Sequence, residues 1–260
     1  MGRSFLTVVL THLDARGVEQ QLAYLRGLAP ESRFVVCHGG DRAEFDRLAA
    51  ESEIADAVFV ADPQLRRYGD ISFKEAIPAV HARWIEADPD IELVQWLEFD
   101  QLILRADFEE SLAALAKRTG AGLLGKAAGP RNDTNWPHYL RYRGHEQLDR
   151  FVESVSRRDD LAARYGSFGA GMVFTREAFD AVAAVIGDAP GMMQEALVPT
   201  LVHHLGFRVA DVNELGDLYA GIRWRPLYTL EDALEAKRAG RTFVHPFKRM
   251  DQLAELARLA

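Results

Sequence analysis

Apolar runs alternating with stretches of helical spacing organise the first hundred residues. Phe5 to Leu10 is a continuous apolar run rich in β-branched residues, the pattern of a strand buried on both faces. Val18, Leu22 and Leu25 then recur at helical spacing. Arg33 to Cys37 predicts a second strand, ending in the turn Gly39-Gly40-Asp41, with Phe45, Leu48 and Ala49 marking the next helix. Ala57 to Ala61 reads as a third strand. Phe73, Ile77, Val80 and Trp84 fall on one face of a long helix, and Ile91 to Leu97 is a fourth strand running into Glu98-Phe99-Asp100. This alternation predicts an α/β fold, a mostly parallel central sheet with helices on both faces. Ligands of such sheets bind where the strands end. The exits at His12 to Asp14, His38 to Asp41, Asp62 and Glu98 to Asp100 are therefore the places for chemistry.

The second half is less regular. Asp107 and Glu110 predict a capped helix containing Leu112 and Leu115, and Ala121 to Leu124 a strand. Residues 129–146 read as a long polar and aromatic loop, and Gln147 to Val155 as a helix. Ser167 to Phe174 is a glycine-punctuated strand, after which Thr175 caps a helix carrying Phe179 and Val182. Glu195 opens an apolar helix with Leu197, Leu201 and Leu205, stopped by Gly206. Arg208 to Val212 is a late strand, 216–228 a second aromatic loop, and Thr229 caps another helix. Phe243 to Arg249 leads into a terminal helix from Asp251. No repeat or linker interrupts the pattern, which predicts one domain.

Composition narrows the classes. With 48% apolar and 27% charged side chains over 260 residues, the chain is globular rather than disordered. A net charge of −8 repels phosphate, which excludes nonspecific nucleic-acid binding and requires a local basic cluster for any anionic ligand. The single cysteine, Cys37, excludes a disulfide framework and a cysteine-rich zinc site, and its apolar surroundings predict a buried thiol. No apolar run approaches the ~18 residues of a membrane span. His12 and Asp14 break the first run, so it reads as a strand and not a leader, and a cytoplasmic protein is expected.

Four short patterns carry chemistry. Glu98 and Asp100, two residues apart at a strand end, put two carboxylates on one side. Such a pair suits a hard divalent cation, Mg²⁺ or Mn²⁺, and through it a diphosphate; the bland alternative is an acidic strand end that caps the next helix. His245 follows an apolar pair and precedes Lys248 and Arg249. It can complete a metal site while the two bases hold phosphates, or all three can be solvated. Gly166, Gly169 and Gly171 allow close approach of backbone to ligand, but form neither a phosphate-binding loop with its Lys-Ser/Thr nor a dinucleotide fingerprint. Glu195 at a helix start is either a complement to the helix dipole or a general base.

In this order, over nearly the whole chain, these features resemble the GT-A-type nucleotide-sugar glycosyltransferases. Glu98-Phe99-Asp100 matches the acidic metal motif, with Glu-x-Asp in place of the usual Asp-x-Asp. Phe168-Gly169-Ala170-Gly171-Met172-Val173-Phe174 matches the glycine-bearing strand, Glu195 the acid that opens a helix, where the family usually has two, and His245 the late histidine. The resemblance implies a single GT-A-like domain, residues 1–105 binding nucleotide and 106–260 binding acceptor and catalysing. It implies transfer of a sugar from a UDP- or GDP-sugar to a carbohydrate or other hydroxyl acceptor. Asp100 and His245 would hold Mn²⁺ or Mg²⁺, with Glu98 beside them. Lys248 and Arg249 would clamp the diphosphate, and Asp41 and Asp62 would reach base and ribose. Glu195 would be the base, and a single carboxylate base predicts inversion. Trp136, Arg141, Arg143 and Trp224 would line the acceptor. The rivals are a nucleotidyltransferase, of whose glycine-rich basic first loop Thr11 to Arg16 is a poor version, and a non-catalytic carbohydrate-binding relative.

Overall fold

The computed structural model describes residues 4–51, 56–60 and 73–259. In chain order the elements are β1 (Phe5–Thr11), α1 (Ala15–Leu28), β2 (Arg33–His38), α2 (Arg42–Glu51), β3 (Ala57–Phe59) and α3 (Ala76–Val80). There follow β4 (Leu93–Glu98), β5 (Leu102–Ile103), α4 (Phe108–Thr119), β6 (Leu123–Pro130), α5 (Pro137–Tyr142), α6 (Glu146–Val155) and β7 (Tyr165–Thr175). The chain ends with α7 (Arg176–Ala183), α8 (Gln194–His204), β8 (Val209–Asp211), α9 (Leu230–Arg238), β9 (Phe243–Val244) and α10 (Leu253–Arg258).

Seven strands form one mixed sheet in the order β3-β2-β1-β4-β7-β6-β8. The pairs β1–β2, β1–β4, β2–β3 and β6–β8 are parallel; β7 alone runs against its neighbours β4 and β6. The predicted α/β architecture with a mostly parallel sheet is thus present, and the sheet draws strands from both halves of the chain. The reversal of β7 matters for chemistry. Trp96 pairs with Met172, so the end of β4 lies beside the first half of β7, where Gly169 sits.

Alternating side chains divide the core into two layers. On one face Phe5, Val9, Phe34, Val36 and Leu97 pack with α1, α4, α9 and α10. On the other, Leu6, Val8, Leu10, Val35, Trp96 and Phe174 pack with α3, α6, α7 and α8. Cys37 is fully buried in the second layer, which pushes its thiol up to about 12. Among the described residues no helix is long and apolar enough to cross a membrane.

Local signals held where nothing competed. Thr175 caps α7 by accepting from Ala178 N, and Thr229 forms a reciprocal capping box with Asp232. Gly206 takes a positive φ of 98° just past α8. Elsewhere tertiary contacts won. The helix expected over Phe73 to Trp84 is only α3, continued by a wider π-type turn, His81–Ile85, although all four apolar residues are buried as their spacing implied. Asp107 does not cap α4, because Arg105 takes both of its oxygens, at 2.9 and 2.5 Å. The loop expected over 129–146 contains α5, which Pro137 starts from its first turn, and the end of β6. Ala61, placed in the third strand by the sequence, lies outside the described residues.

Phe108 holds α4 onto the sheet. Its ring meets Phe5, Phe34 and Phe243, with centroids 6.0, 6.3 and 6.2 Å away, and it is fully buried. Phe108→Ala is expected to cost about 3–5 kcal/mol, the range for a truncated core phenylalanine. Urea unfolding checks this as a lower midpoint with an unchanged slope.

Candidate active site

The site forms where β4 ends. Glu98 is the last residue of the strand; Asp100 lies in the turn beyond it. Asp100 therefore reaches Glu98 through the turn, closed by Gln101 N donating to Glu98 O at 2.9 Å, and not by strand alternation as the sequence suggested. The third member comes from far along the chain. β5 pairs antiparallel with β9, Leu102 opposite Val244, which sets the following His245 against the acidic turn. Phe247 N donates to Asp100 O at 2.8 Å and fixes the register from the other side.

The resulting geometry is a compact mixed donor set. His245 Nε2 lies 3.2 Å from Asp100 Oδ1 and 3.6 Å from Glu98 Oε2. Its Nδ1 lies 2.9 Å from the carbonyl of Arg223. A carbonyl only accepts, so Nδ1 carries the proton and Nε2 is the atom turned toward the carboxylates, the arrangement of a ligand histidine oriented by a backbone partner. One atom from each of Glu98, Asp100 and His245 falls within 4.8 Å of the others, a fit for a hard divalent cation. Lys248 Nζ stands 3.5 Å from Asp100 Oδ2 and 5.7 Å from the Phe99 ring centroid, so one base does reach the cluster.

Three charges this close share protons. Burial and the neighbouring Asp100 push Glu98 up to about 8. Burial also opposes ionisation of Asp100, but the His245 imidazole and the Lys248 ammonium outweigh it and hold Asp100 below the ordinary carboxylate range. Burial alone would lower His245; its hydrogen bond to Asp100 and the two carboxylate charges raise it instead.

Across a narrow gap lies the second carboxylate centre. Gly169 on β7 donates its N–H to Glu195 Oε1 at 2.7 Å. A Cβ built on Gly169 would lie 3.0 Å from Glu98 Oε1, 3.0 Å from Gln194 Nε2 and 3.1 Å from Glu195 Oε1. Only glycine leaves that space open, so three polar side chains converge on a bare backbone. Gln194 is buried and its Oε1 has no partner. The other Glu195 oxygen, Oε2, is 3.0 Å from His138 Nε2 on α5. Both Glu195 oxygens thus face a nitrogen, and the expectation of inversion drawn from a lone carboxylate finds no support in this geometry. Nearby, Gly171 adopts a φ of 77°, where a Cβ would meet Gln101 Nε2 at 2.4 Å, and its carbonyl accepts from Tyr219 OH at 2.5 Å. That bond ties the second aromatic loop to β7.

The other expected site residues fall in different places. Arg249 turns away and forms a bidentate pair with Asp251 at 2.8 and 3.0 Å, so it does not join the cluster. Asp41 accepts from Ala43 N at 2.7 Å, so its carboxylate caps the start of α2. Asp62 lies outside the described residues. Trp136 is half-buried, its ring 5.0 Å from that of His138, whereas Arg141 and Arg143 are exposed. Trp224 is 59% exposed yet sits edge-on to Phe168, which in turn packs edge-on against His245. Sequence reasoning missed His138; the Trp-Pro pair before it, a helix-start signal, was the available hint. A further histidine and carboxylate group, Asp160, His203 and His204, lies at the far end of α8. Both ring nitrogens of His204 are already engaged by Ala163 O and Ser156 Oγ, and Arg158 caps His203 O and Gly206 O, so this group straps the helix end.

No protein-family model and no curated protein matches the chain. By shape, it is similar to structures of the galactosyltransferase LgtC. An active-site mutant of LgtC aligns at 12% identity with a TM-score of 0.45, and a complex with donor and acceptor sugar analogues at 11% and 0.43. Both alignments cover 97% of this chain and 95% of the other. The mannosyltransferase PcManGT from Pyrobaculum calidifontis, in complex with GDP-Man and Mn²⁺, aligns at 14% identity with a TM-score of 0.39. That alignment covers 80% of this chain and 54% of PcManGT, so the chain spans about half the length of that protein.

The raised Glu98 gives a pH signature. Below about 4.5 the group is protonated in both folded and unfolded chains. As pH rises from there to about 8, the unfolded chain releases a proton that the fold retains, and stability falls. Glu98→Gln should therefore gain stability over the wild type as pH rises from 5 to 8.5 in EDTA, read from urea midpoints. A constant difference across that range would contradict the assignment.

Proposed function

We propose that the chain is a glycosyltransferase of the GT-A type, moving a sugar from a nucleotide-diphosphate donor to an acceptor hydroxyl. The observation that carries this reading is the convergence of Glu98, Asp100 and His245 at a strand exit, with Lys248 on one side and Glu195 across the Gly169 gap. Glu98, Asp100 and His245 Nε2 would hold a divalent cation, Mn²⁺ or Mg²⁺, which when bound draws charge from the departing diphosphate. Lys248 gives a protein of net charge −8 the local cation that a diphosphate needs. Lys248 Nζ stands 3.5 Å from Asp100 Oδ2, within reach of a diphosphate held at the same cluster.

Glu195 is assigned to receive the acceptor proton. One oxygen accepts from the Gly169 N–H, the other lies 3.0 Å from His138 Nε2, and lone pairs remain on both. The open space over Gly169 then seats the donor sugar between Glu98, Gln194 and Glu195, whose polar atoms match ring hydroxyls. Trp136 and Trp224 are assigned to the acceptor side, where aromatic rings help keep water from competing. Arg141 and Arg143 are assigned to the acceptor rim, and residues 1–105 to the nucleotide. A cytoplasmic, single-domain enzyme is the simplest setting for a nucleotide-sugar donor.

A panel of UDP-, GDP- and dTDP-sugars, with and without Mn²⁺, tests the class. Metal-dependent donor consumption supports the transferase. Pyrophosphate release from a nucleoside triphosphate supports a nucleotidyltransferase, and inactivity with every donor supports a carbohydrate-binding relative. Asp100→Ala should lose metal-dependent turnover while its unfolding midpoint stays close to wild type. Glu195→Gln should lower transfer by roughly 10²–10⁴-fold, the usual worth of a general base, with little change in nucleotide affinity by calorimetry.

A further inference from the structure

α5 is fastened to the start of α8 at two points. Tyr142, at the end of α5, accepts from Met193 N at 3.0 Å, and its ring is buried. Met193 is the cap residue of α8. This bond, with the packing of Tyr139 and Tyr142, is enough to dock the loop. The second point is different in kind. His138 Nε2 meets Glu195 Oε2 at 3.0 Å, while the Gly169 N–H holds Oε1 at 2.7 Å from the opposite side. A backbone N–H on one oxygen and an imidazole nitrogen in contact with the other hold the plane of the carboxylate, whereas the N–H alone leaves it free to turn about the Cγ–Cδ bond.

His138 is itself held. Its ring stands edge-on to Trp136, and Trp136 lies against Gly166, where an added Cβ would come within 2.4 Å of the indole. The Arg131 guanidinium lies over that indole at 4.9 Å. β7 therefore supplies both ends of the device: Gly166 seats the Trp136 that braces His138, and Gly169 donates to the carboxylate that His138 orients.

We propose that His138 is a positioning residue for Glu195, holding the carboxylate in one orientation before the acceptor arrives. This rests on the transferase reading above for its consequence in turnover, but its geometric content stands apart. Compared with Tyr142, whose partner is a backbone amide, His138 serves the side chain that does the chemistry.

The experiment compares His138→Ala, His138→Gln and Tyr142→Phe with the wild type. Gln places an amide N–H near the imidazole Nε2 and should keep the contact. Amide hydrogen exchange at Gly169, read residue by residue by NMR, should speed up by roughly fivefold to tenfold in His138→Ala, the equivalent of about 1 kcal/mol for one weakened hydrogen bond. His138→Gln should restore it. Tyr142→Phe should loosen the amides of 137–142 and leave Gly169 protected. With an active donor, His138→Ala should lower kcat by up to about 100-fold, the cost of a misplaced catalytic group, at an almost unchanged donor KM. Unchanged Gly169 exchange in His138→Ala overturns the proposal, as does a His138→Gln protein as impaired as His138→Ala. If the wild type consumes no donor at all, the transferase reading fails, and Gly169 exchange still decides whether His138 orients Glu195.

Discussion

The pairing of β5 with β9 is the constraint on which the site depends. It is only two residues long on each strand, yet it closes a loop of well over a hundred residues and sets a C-terminal histidine against an acidic turn. The pairing does not stand alone: Phe243, Val244 and Phe247 are completely buried, and Phe108 and Tyr219 pack their rings against Phe243. Hydrophobic burial thus does the anchoring, and the polar residues interleaved with it are carried into position. The Phe247 N–H bond to Asp100 O shows the same division, since a backbone contact sets the register that the side chains exploit.

That division explains why the cluster can hold like charges. Glu98 and Asp100 would repel if both were ionised in a partly dry site, and proton sharing with His245 is what relieves them. A divalent cation would relieve them equally well and displace the proton. The stress is therefore a property of the donor set itself, and it marks the cluster as more than a helix cap. The helix that follows is not capped by these acids at all, and its nearest carboxylate, Asp107, is taken by Arg105.

What the sequence revealed follows the range of the interactions involved. Strands β1, β2 and β4 and the caps at Thr175 and Thr229 depend on neighbours in sequence, and they were legible. The buried face of Phe73, Ile77, Val80 and Trp84 was legible too, although the helix itself is cut short. The reversed direction of β7 was not, because strand direction is settled by crossovers and not by composition. At the site, the meeting of Glu98, Asp100 and His245 was anticipated from motif order, but the means differ: a turn and a two-residue strand pair replace simple alternation. Arg249 pairs with Asp251, two residues on, a local partner that motif order does not reveal. Asp41 went to its own helix for the same reason. His138 was overlooked because its partner is 57 residues away and nothing local distinguishes it from a surface histidine.

The gap over Gly169 joins the two carboxylate centres, and its width is set by β7 running antiparallel to β4. Were β7 parallel, the strand start carrying Gly166 and Gly169 would lie at the opposite edge of the sheet, away from Glu98. The reversal brings a glycine-rich strand start beside an acidic strand end, so backbone and carboxylates meet without intervening side chains. α8 then enters from the other side with Gln194 and Glu195 in its first turn, and its last turn is strapped by Arg158 and His204. A helix fixed at its far end and packed along its length, with every residue from Gln194 to His204 buried, gives its first side chains little freedom. The arrangement is rigid where proton transfer would need it, on β7 and α8. The exposed groups, Lys248 and Trp224, lie at the rim, where a substrate would enter and leave.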